Sequence, residues 1–105
     1  MKIKISKNLS HTWLIDLDGT IVKHNYYLSN NKDLFLKGVR VFLKKIPKND
    51  VIIFLTSRKK KFKKLTVAFL LKNKIRYNSI IFDLPYGERI LINDIKPKNN
   101  LKTAI

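Results

Sequence analysis

Four short apolar runs, each followed by polar residues, constrain the fold of this 105-residue chain more than any other feature. They are residues 13–15, 51–55, 79–82 and 90–92, and most of their side chains are β-branched or aromatic. Runs that are short, apolar on both faces and bounded by polar residues are typical of buried strands in a parallel sheet. We therefore expect a parallel sheet of about four strands.

Two longer amphipathic segments lie between these runs and predict helices. Apolar side chains recur near helical spacing in residues 34–46, where Asp33 can cap the helix and Pro47 ends it. Residues 62–73 show a similar pattern. Strands alternating with helices indicate an α/β fold with right-handed crossovers and helices on both faces of the sheet. The length allows one domain, residues 1–105, without a cap domain.

The charge balance indicates anionic ligands without choosing among them. The chain has 23 Lys and Arg against 7 Asp and Glu, a formal net charge of +16. Such an excess attracts phosphorylated metabolites, nucleic acid or anionic membranes. The chain has no cysteine, which excludes disulfides and thiolate metal sites. Because no apolar run resembles a membrane span or signal peptide, we expect a cytoplasmic protein with no membrane partner.

Polar residues cluster directly after the apolar runs, where ligands bind in an open parallel sheet. Two carboxylates held close together repel each other unless a cation lies between them. A hard divalent ion such as Mg²⁺ suits such oxygen ligands. Asp16 and Asp18 follow the first run. The second run is followed by Thr56, Ser57 and Arg58, and the fourth by Asn93 and Asp94. The pattern predicts a Mg²⁺ site formed by the three aspartates Asp16, Asp18 and Asp94.

Three of these segments resemble motifs of one enzyme family. Residues 15–22, IDLDGTIV, resemble the first motif of the haloacid dehalogenase (HAD) superfamily of phosphotransferases. Residues 54–58, FLTSR, and 90–94, ILIND, are similar to its second and fourth motifs. Residues 87–97 also resemble small HAD proteins associated with bacterial capsule or sugar biosynthesis. The resemblance covers residues 11–97 and implies a minimal, cap-less Rossmann-like core with Mg²⁺-dependent phosphatase activity.

The resemblance also implies a role for each matched residue. Asp16 would attack phosphorus and form an aspartyl-phosphate, and Asp18 would act as general acid and then as general base. Asp94 would complete the Mg²⁺ site with these two residues. Thr56 would donate a hydrogen bond to a phosphoryl oxygen, and Ser57 would bind phosphate beside it.

Two departures from the family pattern leave assignments open. The usual acidic pair is Asn93 and Asp94 here, so we assign the metal role to Asp94. The third motif supplies a Lys or Arg that binds the nucleophile and phosphate, but Leu84 stands where that cation often occurs. Arg89 and Lys96 are the remaining candidates for this anion-binding role.

Several basic residues near the motifs are candidates for substrate contact. His24 lies in the loop after the first motif, and Arg58 and Lys96 follow strand ends. Arg58 and His24 each have an alternative interpretation as a solvated surface residue, which we favour for His24. The lysine-rich residues 59–64 either raise the positive potential around the site or form an ordinary charged surface. We interpret Asp83 as a turn residue.

Three functions remain open at this stage. The first is a phosphomonoesterase acting on a small phosphorylated metabolite, such as a sugar, polyol or acid phosphate in surface-polysaccharide synthesis. The second is a polynucleotide 3′-phosphatase or another macromolecular phosphatase, which ranks lower because the sequence shows no basic platform interleaved with aromatic residues. The third is a non-catalytic anion-binding module. Because no cap is expected, we also predict a homo-oligomer that shields the open site.

Overall fold

A computed structural model describes residues 3–105, and its elements alternate as an α/β chain does. None of the helices in this part of the chain is long and apolar enough to cross a membrane. The elements are β1 (Thr12–Asp16), α1 (Tyr26–Asn30), α2 (Val39–Lys45), β2 (Val51–Leu55), a 3₁₀ turn (Lys60–Phe62), α3 (Lys63–Lys72), β3 (Ser79–Ile81), β4 (Ile95–Lys96) and β5 (Leu101–Lys102).

The main sheet has three parallel strands in the order β1-β2-β3. In the register, Asp16 of β1 lies opposite Leu55 of β2, which lies opposite Ile81 of β3. The prediction of about four strands is therefore wrong by one, because residues 90–92 form no strand. The last two strands, β4 and β5, form a separate antiparallel hairpin.

The short loop after β3 explains why residues 90–92 do not join the sheet. A parallel neighbour of β1 needs a crossover of about a dozen or more residues. Only residues 82–89 are available, and this loop is tied to the carboxyl edge of the sheet. Asp83 N donates to Arg58 O at 2.8 Å, and Leu84 N donates to Thr56 O at 3.2 Å.

The hydrophobic core lies against β2 and the ends of the two longer helices. In β2, Ile52 and Phe54 are fully buried, whereas the alternate side chains are half-buried, so both faces of this central strand are at least partly covered. Leu43 of α2 and Leu70 of α3 pack into the same core. Burial of such side chains stabilises the fold by about 1.5–3 kcal/mol each.

The second predicted helix is confirmed as α3, but the first begins later than predicted. Helix α2 starts at Val39, after Gly38 in a left-handed conformation with φ 81°. The preceding residues are extended, since Leu36 N donates to Ile21 O at 3.0 Å. Asp33 caps no helix and instead binds the buried guanidinium of Arg58 at 2.6 Å. The attraction of a buried cation thus outweighs the local capping preference.

A buried aspartate fixes the opposite, amino-terminal edge of the sheet. Asp50 accepts hydrogen bonds from Trp13 Nε1 and from His11 N, both at 2.9 Å. These bonds, led by that of Trp13, lower the pKa of Asp50 below its ordinary value. The contacts join the start of β1 to the residue before β2 and help to set the register of the two strands.

Candidate functional site

The carboxyl edge of β1 and β2 brings the first two predicted motifs together. Asp16 ends β1, and Leu17 N continues the strand pairing by donating to Leu55 O at 3.0 Å. The chain then turns tightly, with Ile21 N donating to Leu17 O at 2.9 Å. Gly19 sits in this turn at φ 80°, a conformation that costs glycine little and other residues more. The turn places Asp16 and Asp18 at one edge of the sheet.

Asp18 is held by hydrogen bonds to both of its carboxylate oxygens. Thr56 Oγ1 donates to Oδ2 at 2.8 Å. Arg58 Nε donates to Oδ1 at 2.9 Å, and Arg58 Nη2 lies 2.8 Å from the same oxygen. Thr56 Oγ1 also accepts from Arg58 N at 3.0 Å. The hydroxyl group of Thr56 therefore donates its hydrogen bond to Asp18. The resemblance implied instead that Thr56 would donate to a phosphoryl oxygen.

Arg58 lies in the interior, which corrects its prediction as a surface anion clamp. Besides Asp18, its guanidinium binds Asp33 through two bonds of 2.6 and 2.9 Å and donates to Thr66 Oγ1 at 2.9 Å. The Tyr27 ring stacks on it at 3.7 Å. Burial alone lowers the pKa of Arg58, but the bonds from Asp33 and Asp18 outweigh this and raise it. Arg58 thus stays charged and bound to the protein.

Sequence reasoning missed three members of this Arg58 network. Asp33, Tyr27 and Thr66 come from separate segments and meet only in the folded chain. Burial raises the pKa of Tyr27, and its ring packs edge-on against Phe62 at 5.0 Å. One signal could have found Asp33: in a chain with only seven acidic residues, each acid is a candidate for a specific partner.

Asp16 has a more open environment. Its Oδ1 accepts a hydrogen bond from Arg89 Nη1 at 2.7 Å, and its Oδ2 accepts from Thr20 Oγ1 at 3.2 Å. Both Asp16 and Arg89 remain about one-third exposed. Of the two candidates for the anion-binding cation, the structure places Arg89 on Asp16 and Lys96 elsewhere. Thr20 is a further contact that the sequence did not single out.

Asp94 lies away from this pair, next to the β4–β5 hairpin. Lys96 Nζ binds its carboxylate at 3.2 Å, and this bond lowers the pKa of Asp94 below its ordinary value. Thr103 Oγ1 donates to Asp94 O at 2.7 Å, and Asn93 Nδ2 donates to Thr103 O at 2.8 Å. Across residues 3–105, no three acidic or histidine side chains converge as a metal site. The predicted third carboxylate is therefore not supplied within this fold.

The remaining donor set is of the kind that Mg²⁺ prefers. Asp16 offers a partly exposed carboxylate, and both of its present hydrogen-bond donors are also exposed. Among residues 3–105, the backbone hydrogen bonds of the turns and loops include none that the Asp18 carbonyl accepts. Hard divalent cations bind such oxygen ligands and keep several waters. Asp16 and the Asp18 carbonyl are therefore the oxygen donors at this edge that could hold Mg²⁺.

A cleft of about 610 Å³ opens in front of Asp16 and Asp18. Besides the two aspartates, its lining combines cationic and aromatic side chains, which include His24, Lys59, Lys61, Arg89, Phe62 and Tyr86. Tyr86 is 94% exposed. Ser57 also lines the cleft, where its hydroxyl donates to Pro85 O at 3.4 Å. The cleft thus presents positive charge and an aromatic ring around two carboxylates.

Comparisons with known proteins support the fold and leave the family open. No protein-family model matches the chain, and no curated protein matches it. A chain in the solved structure of the Pnkp1/Rnl/Hen1 complex has a similar fold, with a TM-score of 0.59 and 23% sequence identity. The match covers 81% of this chain and 32% of that one. The chain therefore spans about a third of that protein.

Proposed function

We propose that this chain is a Mg²⁺-dependent phosphomonoesterase of the HAD type, with Asp16 as its nucleophile. The proposal rests on the contrast between Asp16 and Asp18, which both line the cleft. Asp16 is exposed and held lightly, whereas Asp18 is fixed beside it through Thr56 and Arg58. An accessible nucleophile beside an oriented acid–base group is the arrangement that two-step hydrolysis requires.

In the proposed reaction, an Asp16 oxygen forms a bond to phosphorus as the bond to the leaving oxygen breaks. The leaving oxygen takes a proton from the Asp18 carboxyl group. Water then attacks phosphorus and gives a proton to Asp18, which breaks the bond between phosphorus and Asp16 and releases phosphate. Thr56 and Arg58 position the Asp18 side chain beside Asp16. In the first step Asp18 carries the proton, and the oxygen that bears it donates to the leaving oxygen.

Arg89 is the residue that we assign to phosphate binding beside the nucleophile. Its guanidinium contacts Asp16 at 2.7 Å, so an incoming phosphoryl group would meet it at the point of attack. Ser57 is a second donor that lines the same cleft. We assign the Mg²⁺ contacts to Asp16 and the Asp18 carbonyl; Asp94, which the resemblance makes the third ligand, does not join them within one described chain. Bound Mg²⁺ would neutralise phosphoryl charge that otherwise repels Asp16.

The cleft favours the end of a nucleic-acid strand as the substrate. The sequence ranked this class lower because it showed no basic platform interleaved with aromatic residues, but Tyr86 lines the same cleft as Lys59 and Lys61. An exposed ring can stack on a base while cations contact the phosphate backbone. A small phosphorylated metabolite is the second candidate.

A phosphate-release assay tests the activity. We expect the protein to release phosphate from a generic aryl phosphate with Mg²⁺ and to stop when EDTA is added. Asp16→Asn should lower the rate by about 10³-fold or more, because the nucleophile is lost. Asp83→Asn is the matched control, since Asp83 is a turn residue whose left-handed conformation asparagine also tolerates. Undiminished turnover by Asp16→Asn would exclude the mechanism.

A second set of substrates distinguishes the two classes. We expect 3′-phosphorylated DNA to be a better substrate than sugar or polyol phosphates, with a rate at low substrate concentration that falls steeply as salt increases. Tyr86→Ala should weaken use of the DNA substrate and leave the aryl phosphate rate unchanged. Better turnover of a sugar phosphate, with little dependence on salt, would favour the metabolite class.

A further inference from the structure

One edge of the main sheet is open along β1. The strand pairs with β2 on one side, and no described strand lies on the other. Along this edge runs a groove of about 480 Å³, lined by apolar side chains that include Trp13, Leu14, Val39 and Phe42. Leu14 and Phe42 are each about half-exposed. An open edge presents unpaired backbone N–H and C=O groups and is a template for another strand.

Residues 90–92 have the composition of a strand but belong to no strand of the described chain. All three side chains are apolar, and Ile90 and Ile92 are 83% and 86% exposed. The described chain is correspondingly extended, with a radius of gyration of 15.4 Å. A compact domain of this length has a radius of gyration of about 13 Å. The molecule therefore carries both an open apolar edge and an exposed apolar segment that could pair with it.

The segment cannot supply a parallel strand to its own β1. Backbone hydrogen bonds of Asp83 and Leu84 hold the loop before the segment at the carboxyl edge of the sheet, and Arg89 contacts Asp16 at the same edge. From there, residues 90–94 can pass along their own β1 only in the antiparallel direction. That course would carry Asp94 to the amino edge, far from Asp16. A parallel course needs the longer crossover that this chain lacks.

Two copies related by a twofold axis resolve this conflict. When the β1 edges of two copies face each other with their strands in opposite directions, the carboxyl edge of each copy is level with the amino edge of the other. A segment that runs antiparallel to its own β1 is then parallel to β1 of the partner. The two exchanged segments lie next to each other at the centre, which gives one continuous sheet of eight strands from the two three-stranded sheets.

We propose that a second copy of this chain donates residues 90–94 to the open edge of β1, and that the exchange brings Asp94 of the partner subunit beside Asp16. Exchange of a segment between identical protomers is a low-cost route to a dimer. If Asp94 of the partner lies opposite Asp16, the parallel register places Ile92 of the partner opposite Leu14. The role of Asp94 in metal binding rests on the proposed phosphatase function, and so does the preference for strand exchange over antiparallel pairing within one chain.

Engineered cysteines test the exchange directly, because the chain has no cysteine of its own. A Leu14→Cys protein is mixed with an Ile92→Cys protein, and the mixture is unfolded, refolded together and oxidised. We expect a disulfide-linked dimer on a non-reducing gel. The control pairs Ile92→Cys with Leu71→Cys, which substitutes an exposed residue of α3, and should yield little of this species. Failure of the first pair to cross-link above the control would overturn the proposal.

The mass of the unmodified protein gives a second, independent test. Light scattering should give about twice the chain mass of 12.4 kDa. Replacing Ile90 and Ile92 with Lys should shift the protein to a monomer, because charged side chains block pairing at an exposed edge. A wild-type protein that stays monomeric at the concentrations used for cross-linking would contradict the exchange.

Mixed variants test whether Asp94 acts across the interface. Asp16→Asn and Asp94→Asn proteins should each be inactive, but a refolded equal mixture should regain about a quarter of wild-type activity, because half of the dimers contain one intact site. No gain on mixing, with wild-type activity intact, would overturn the delivery of Asp94. Cross-linking in a wild-type protein that releases no phosphate would refute the phosphatase function and leave the exchanged dimer supported.

Discussion

Asp16 and Asp18 lie two residues apart at one edge of the sheet, yet each pairs with an arginine in a different environment. Arg58 lies 2.8 Å from Asp18 with a side chain that is 1% exposed. Arg89 lies 2.7 Å from Asp16 with a side chain that is 36% exposed. Nearly equal distances therefore describe a buried ion pair in one case and a solvated pair in the other.

This difference in burial indicates a structural role for the Arg58–Asp18 pair and a chemical role for the Arg89–Asp16 pair. Breaking a buried pair leaves an unpaired charge away from water and is strongly destabilising. A solvated pair contributes about 0–1 kcal/mol and can exchange partners at little cost. Asp18 is thus held in one place, whereas Asp16 can release Arg89 to an incoming phosphate.

Arg58→Ala removes the buried arginine that pairs with Asp18 and should have the largest effect on stability. Removing the guanidinium leaves the buried Asp33 carboxylate without its ion pair and takes two contacts from Asp18. We expect the free energy of unfolding to fall by about 3–5 kcal/mol, measured by urea denaturation. Arg40→Ala, at an exposed site on α2 where the guanidinium lies 5.6 Å from the Phe35 ring, is the control and should change it by about 1 kcal/mol or less. Equal effects would show that the Arg58 network is not structural.

Asp18→Asn should have an intermediate effect on stability. The amide keeps one acceptor for Thr56 or Arg58, but it loses the charge and presents an NH₂ group to surrounding donors. We expect a loss of about 1–3 kcal/mol in the free energy of unfolding. Asp16→Asn, an identical substitution at the open site, should cost less than about 1 kcal/mol. A larger loss for Asp16→Asn would show that Asp16, and not Asp18, is the aspartate on which the stability of the fold depends.

Arg89→Ala should have the smallest effect on stability, because its partner is solvated. The free energy of unfolding should change by less than about 1 kcal/mol in thermal or urea melts. The phosphate-release rate should nevertheless fall by about 10²-fold, since a cation at the point of attack is lost. Arg89→Lys should recover part of this rate by restoring the charge without the bidentate geometry. Wild-type activity of the alanine variant would remove Arg89 from the proposed site.

Much of the framework could be predicted from local pattern. The apolar run at residues 51–55 is β2 throughout its length, and residues 62–73 contain α3. Asp83 is a turn residue, as predicted, with φ 61°. Polar residues after the first two runs do meet at one edge, because parallel pairing aligns the ends of neighbouring strands.

Other features depend on long-range contacts, so the local sequence pattern could not predict them. The course of residues 34–36 depends on pairing with the loop after β1, and Asp33 turns inward to meet an arginine 25 positions away. Residues 90–92 have the composition of a strand, but whether they pair depends on the length and anchoring of the loop before them. Neither property is visible in the residues of the segment itself.

The sequence by itself determined the parallel α/β framework and the presence of Asp16, Asp18 and Thr56 at its carboxyl edge, because period and composition act locally. The tertiary structure alone decided which carboxylate pairs with the buried Arg58 and which stays open beside Arg89. It also decided that Asp94 lies outside this group in a single chain. These outcomes depend on which segments meet in space, and burial then gives otherwise similar ion pairs unequal energies.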